Sequence, residues 1–213
     1  MIIVDIEASG IDPKKNSILS LGAVDFNNPT NQFYEECRVW HGGEIDHSSL
    51  EYCGFTLEEA TDPKKQSDGE LLERFFAWAK QCSEITIAGE NVVWLDLAIM
   101  SATAERTGIN HEFAFKSQFS YQGPMPFGYR TIDLHSISYA HHLSRGIRPR
   151  LQKGLSKLSL DETLQYVGLE PEPKPHHGLN GAKLEAEAFS RLIHGKNLLE
   201  EYAHLAIPDY LKK

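Results

Sequence analysis

The chain has 213 residues, 41% of them hydrophobic, which suits one domain with a sizeable core. Its formal net charge of −9 argues against an extended grip on duplex DNA, because a surface that binds many phosphates is basic. A local site that holds one strand end through metal ions stays compatible with that balance. No apolar run approaches the ~20 residues of a membrane span. The start, MIIVDIEASG, has no basic n-region and carries an acid at position 5, so it is not read as a signal peptide. Cys37, Cys53 and Cys82 are odd in number and show neither a disulfide framework nor zinc spacing. They are expected to be small buried hydrophobes in a reducing cytoplasm.

Residues 1–6 are rich in β-formers and read as a buried strand. SILSLGAVDF (17–26) and NQFYEECRVW (32–40) follow at hairpin-like spacing, with Gly10, Pro13, Asn27, Asn28 and Pro29 in the turns. SDGELLERFFAWAKQC (67–82) has helical periodicity and a cap at Ser67 or Asp68. EITIAG (84–89) is a short buried strand, and WLDLAIMSATAERTG (94–108) is a helix closed by glycine. A strand over 129–132 and helices over 133–146, 159–169 and 180–195 come next, with a last helix expected over 197–205. Strands in a run, then alternating helices and strands, predict a three-layer α/β/α domain around a mixed sheet whose first three strands are antiparallel.

Four places could carry chemistry. In VDIEASG (4–10), Asp5 and Glu7 lie two apart on a strand and therefore share a face. Buried side by side, two carboxylates raise each other's pKa. A divalent cation removes that cost, and oxygen ligands suit Mg²⁺ or Mn²⁺. A strand face open to solvent is the alternative reading. In AGENVVWLDLAIM (88–100), Asp96 opens a helix, where the macrodipole alone would favour an acid, and Asn91 caps or pins the preceding turn. Asp133 in YRTIDLHSI (129–137) reads as an N-cap rather than a ligand. His176 and His177 precede a helix; a histidine there takes a proton from an activated water, or belongs to a solvated loop after EPEPKP.

The order of these pieces is more specific than any one of them. D-x-E on the first strand, G-x-N and a following Asp, a TID strand end, then a histidine opening a late helix resembles the DEDD superfamily of 3′–5′ exonucleases, in its histidine-containing (DEDDh) subtype. The resemblance covers about residues 1–195, and IVDIEASGIDPKKNSILSLGAVDF is its most specific stretch. It implies an RNase H-like fold and metal-dependent release of nucleoside 5′-monophosphates from single-stranded DNA or RNA ends. It also implies a role for each residue. Asp5 would bridge two metal ions, Mg²⁺ or Mn²⁺, about 3.5–4 Å apart. Glu7 would bind one metal, Asp96 would complete the acid cluster, and His176 would be the general base. His176 is preferred over His177 because HHGLNGA matches the family's H-x-A-L-x-D-A with glycine for the acid.

That match exposes a departure: the fourth acid is missing, and Gly181 stands in its place (Ala182 in the other register). Glu185, one helical turn further and ~6 Å along the axis, is a substitute metal ligand if its long side chain leans back. A weakened second metal or a domain that binds without cutting are the alternatives. Ala8 stands where the family often has Thr, and Ala8, Ser9, Gly10 and Asn91 are expected near the terminal nucleotide, with Leu21 and Ile11 available to abut its base. The stretch 141–157 holds Arg145, Arg148, Arg150, Lys153 and Lys157 and no acid; it is a mobile loop or a phosphate contact. Phe113, Phe115, Phe119, Tyr121 and Phe127 pack under a long insertion or stack on bases. The sequence does not choose DNA over RNA, and an oligomeric state is not readable in it.

Overall fold

The structure, a computed structural model, describes residues 1–109, 127 and 130–212. β1 (Ile2–Ala8), β2 (Ile18–Asp25) and β3 (Gln32–Glu36) form an antiparallel meander. Every residue of β2 is buried, as expected of a strand covered on both faces. Two short helices that no periodicity announced, α1 (His47–Cys53) and α2 (Leu57–Thr61), fill the connection to α3 (Asp68–Ala79). Ser67, not Asp68, caps α3, in a capping box with Glu70. Then come β4 (Ile87–Gly89), α4 (Asp96–Thr107), β5 (Ile132–Asp133) and α5 (Leu134–Ser144). The hairpin of β6 (Leu151–Gln152) and β7 (Leu155–Ser156), α6 (Leu160–Tyr166) and α7 (Gly178–His194) follow, with short 3₁₀ turns after them, among the described residues. The five-stranded sheet runs β3-β2-β1-β4-β5, with β4 and β5 parallel to β1. It is the expected RNase H-like arrangement of a mixed central sheet with helices around it.

The period-two alternation of β1 separates the layers. Ile2, Val4, Ile6 and Ala8 pack with Leu71, Phe75 and Phe76 of α3 and Ile99 and Met100 of α4. Met1 and Ile3 pack with Leu134, Leu164, Leu184 and Phe189 of α5, α6 and α7. Asp5 and Glu7 share the second face, under α7. That helix comes very close to the sheet: a Cβ on Gly22 would collide with the Gly178–Leu179 backbone, and one on Gly178 would lie 2.9 Å from the Asp5 carbonyl oxygen. Two glycines thus let the first turn of α7, and the histidines before it, reach the middle of β1.

Several element ends differ from expectation. β3 stops at Glu36 because the chain then pairs elsewhere: Arg38 N–H donates to Gln66 O and Val39 N–H to Ala60 O. The expected helix over 197–205 is a single 3₁₀ turn, Glu200–Tyr202. Its backbone is held by α7 instead. Glu187 accepts the Leu198 and Leu199 N–H groups, and Arg191 donates to the Tyr202 and Leu205 carbonyls. Leu21 is fully buried among the α3-side core residues, so it cannot meet a substrate. Phe127 packs against Phe75 and Phe76 at centroid distances of 5.7 and 5.6 Å and is not free to stack on a base; Phe113, Phe115, Phe119 and Tyr121 lie outside the described residues. Among the described residues no helix is long and apolar enough to cross a membrane.

Candidate active site

The strand-to-helix steps of this fold bring distant acids to one place. Asp5 and Glu7 project from β1. Asp96, the first residue of α4, folds back so that its Oδ1 accepts the Ile6 N–H at 3.0 Å. Asn91 makes the turn between β4 and α4, with φ of 50° and its carbonyl accepting the Trp94 N–H. Its side chain donates to Glu90, not to the helix end. Asp133 is the N-cap of α5, accepting the Ser136 N–H at 2.8 Å.

Burial dominates the electrostatics. Desolvation, with the charges of Glu185, Glu7, Asp96 and Glu172 added, holds Asp5 well above the ordinary carboxylate range. Desolvation pushes Glu7 up to about 7, partly opposed by a hydrogen bond from the Cys53 thiol, with the charges of Glu172 and Asp96 adding to the rise. Burial likewise raises Asp96 to about 7 against the favourable Ile6 N–H. Glu185 is raised by burial and by Asp96 and Glu90. Five carboxylates therefore crowd together, and among the described residues no Lys or Arg pairs with any of them.

Glu172 is the member that sequence reasoning missed. It sits in a proline-rich polar loop with no periodicity, which reads as solvated, yet it is 8% exposed. Burial raises its pKa to about 7. Its Oε2 lies 2.9 Å from Nδ1 of His176; an acid four residues before the histidine was the signal available. Tyr52 at the end of α1 fixes the same histidine. The two rings are 4.0 Å apart, and the Tyr52 carbonyl accepts the His176 N–H. Burial lowers the His176 pKa, which favours the neutral imidazole, the form that accepts a proton. His177 turns the other way and stacks on Tyr34 at 4.2 Å.

The expected metal ligands and base are thus adjacent in space. A cavity of about 440 Å³ opens beside them, lined by Asp5, Glu7, Ala8, Gly10, Ile11, Tyr52 and His176. Ile11 is 67% exposed at this rim. Ser9 is buried and works structurally: its hydroxyl donates to Glu44 O and accepts the Ser17 N–H. Glu185 lies in the cluster, with Oε2 accepting the Glu90 N–H at 3.0 Å. The basic stretch is not brought to the cavity. Arg145 caps α5 with its guanidinium over Tyr210, Arg150 pairs with Glu162, and Arg148 lines a separate hollow with His142 and Tyr166.

A buried cluster of oxygen ligands without a cation partner suits a hard divalent ion. The Glu172 Oε1, buried and without a hydrogen-bond partner, is a specific sign of that fit. Glu7, Glu172 and His176 offer ligand atoms all within 4.8 Å of one another.

No protein-family model matches the chain. In sequence it is similar to ribonuclease T of Haemophilus influenzae, 24% identical over a stretch covering 58% of this chain and 61% of that protein. In structure it is similar to the nuclease domain of 3′hExo, a DEDDh family member bound to rAMP, with a TM-score of 0.65 at 14% identity, over 98% of this chain and 95% of that one. It is also similar to E. coli exonuclease I in a complex with single-stranded DNA, with a TM-score of 0.67 at 16% identity, covering 91% of this chain and 40% of that one. The chain thus spans about three-fifths of the ribonuclease T it matches and two-fifths of exonuclease I.

Proposed function

We propose, from the premise that this chain has the RNase H-like fold of the DEDDh-type 3′–5′ exonucleases, that it is itself a metal-dependent 3′–5′ exonuclease. Its substrate would be a single-stranded end of DNA or RNA, and its product a nucleoside 5′-monophosphate. The observation that carries this reading is the convergence of Asp5, Glu7 and Asp96, from two separated segments, on one buried cluster beside His176 and an open cavity. The similar chains bound to rAMP and to single-stranded DNA support the substrate class.

Asp5, Glu7 and Asp96 would hold two Mg²⁺ or Mn²⁺ ions, with Glu185 behind them. Such ions supply charge neutralisation and Lewis acidity at the phosphodiester. The chain's own residues do the rest. The Glu172 carboxylate holds Nδ1 of His176, which leaves Nε2 to take the proton from the attacking water. Water oxygen bonds to phosphorus, the bond to the 3′ oxygen of the remaining strand breaks, and that oxygen takes a proton from solvent to become a 3′ hydroxyl, while His176 returns its proton to solvent. Ala8, Gly10 and Ile11 form the wall against which the terminal nucleotide rests.

The test is degradation of 3′-labelled and 5′-labelled single-stranded DNA and RNA with Mg²⁺ or Mn²⁺, using the natural protein and Asp5→Ala. Shortening from the 3′ end that vanishes in Asp5→Ala is the expected result. No cleavage with either metal would instead favour a domain that binds nucleic acid or a protein partner without cutting, a reading that the glycine at 181 keeps in play.

A further inference from the structure

We propose that Glu172 supplies the carboxylate that the family pattern places at position 181. In this assignment Oε1 is the cation ligand and Oε2 anchors His176. The proposal rests on the exonuclease reading above and says which acid completes its site.

Gly181 is a space, not merely a loss. A Cβ built there would collide with Asp5 Oδ2 and lie 2.9 Å from Asp5 Cγ. The same point is 3.3 Å from Oε1 of Glu172. The Asp5 carboxylate therefore enters, from the strand below, the room that a side chain at 181 would take, and Glu172 borders it from the loop before α7. An aspartate at 181 is excluded by the present position of the Asp5 carboxylate, and Glu172 Oε1 lies at the tight edge of the same space.

The two oxygens of Glu172 are in different situations. Oε2 meets His176 Nδ1 at 2.9 Å. Oε1 is buried and has no hydrogen-bond partner. A carboxylate oxygen removed from water with nothing to accept is costly unless something positive arrives. The only other groups it faces in the ligand set are the Glu7 carboxyl, itself an oxygen ligand, and the His176 ring, already held through Oε2. A cation between Glu7 and Glu172 satisfies both. The loop that carries Glu172 is pinned for this purpose: its N–H donates to Asp161 Oδ1 at 3.3 Å, and the His176 N–H donates to Tyr52 O at 3.0 Å.

Glu185 is the rival. It neighbours Asp5, but its Oε2 is committed to the Glu90 N–H, and it does not join Glu7 in a set of three close ligand atoms among the described residues. The acid has thus moved nine residues back along the chain, from 181 to 172.

The experiment is calorimetric titration of Mn²⁺ into the full chain without substrate, for the natural protein, Glu172→Gln, Glu185→Gln and His176→Ala. Glu172→Gln is expected to weaken binding by about 10–100-fold, the range seen when a supporting ligand is lost. Glu185→Gln and His176→Ala, which leave both the Glu7 and the Glu172 carboxylates in place, should each lose clearly less than Glu172→Gln. Undiminished affinity in Glu172→Gln overturns the proposal and leaves the nuclease reading standing. So does an equal loss in His176→Ala, because Glu172 would then act only through the imidazole. A natural protein that binds no Mn²⁺ sinks the nuclease reading and this one with it. Glu172→Gln removes a buried like charge and keeps the shape, and thermal unfolding of the metal-free variant verifies that it folds. If it does not, Glu172→Ala carries the same expectation.

Discussion

Nδ1 of His176 lies 2.9 Å from Oε2 of Glu172, while the ring above it is covered by Tyr52 at 4.0 Å. A histidine gripped on one nitrogen and stacked on one face keeps its other nitrogen for a further partner, and its residue lines the cavity. For a general base this arrangement is worth about 10²–10⁴-fold in rate. His176→Ala should lower the initial rate of mononucleotide release by that factor at saturating strand. His177→Ala, which only frees Tyr34, should cost much less. Equal losses in the two variants would remove His176 from the chemistry.

Gly181→Ala separates helix propensity from site geometry. In an ordinary helix interior, alanine in place of glycine stabilises by roughly 0.5–1 kcal/mol. At this position the added methyl meets the Asp5 carboxylate. The expected variant keeps its helix content by circular dichroism but falls towards the activity of Asp5→Ala. Activity equal to that of the natural protein would show that Asp5 can turn aside and still serve.

Stability of the metal-free protein should fall as pH rises. Glu7 and Glu172 are raised from 4.5 to about 7, and Asp96 from 3.8 to about 7, all chiefly by burial. Between those values the folded state binds more protons than the unfolded one. Stability present at low pH is therefore lost as pH climbs through the window from about 4 to about 7. Thermal midpoints in chelator should be higher near pH 5.5 than near pH 8, by this linkage. Mn²⁺ should restore most of the loss at the higher pH, because the charged cluster is the form that binds it. A midpoint that rises with pH in chelator would contradict the burial of these acids.

Arg191 and Glu187 form a fully buried pair within α7, 2.8 Å apart, and Arg191 also reaches the carbonyls of Val167, Gly168, Tyr202 and Leu205. Arg191→Met strands the Glu187 charge and leaves four carbonyls short of a donor. Removing one partner of such a pair costs about 3–5 kcal/mol. Denaturant unfolding should show a loss of that size. A loss below about 1 kcal/mol, the worth of an exposed pair, would mean water replaces the guanidinium.

What could be read from the chain alone followed from local periodicity and spacing. The alternation of IIVDIEA places Asp5 and Glu7 on one face whatever surrounds the strand. Ser67 announces α3, Gly108 closes α4, and Asp133 caps α5, because caps are satisfied within a few residues. The three-stranded meander and the mixed sheet come from the same local signals, summed along the chain.

What only the tertiary structure decided are relations between segments with no shared period. Glu172 looks like part of a solvated loop until α1 and α7 close over it. Residues 197–205 look helical until Glu187 and Arg191 take their backbone groups. Arg145, Arg148 and Arg150 look like a basic loop in the sequence, and only the fold gives Arg145 the Tyr210 ring, Arg150 the Glu162 carboxylate and Arg148 a place in a hollow beside α5 and α6. The missing acid belongs to this second class. At position 181 the sequence records only a glycine where the resemblance expects a carboxylate. The fold shows the Asp5 carboxylate in the space a side chain there would take, with Glu172 Oε1 at its edge, since excluded volume acts through space rather than along the chain.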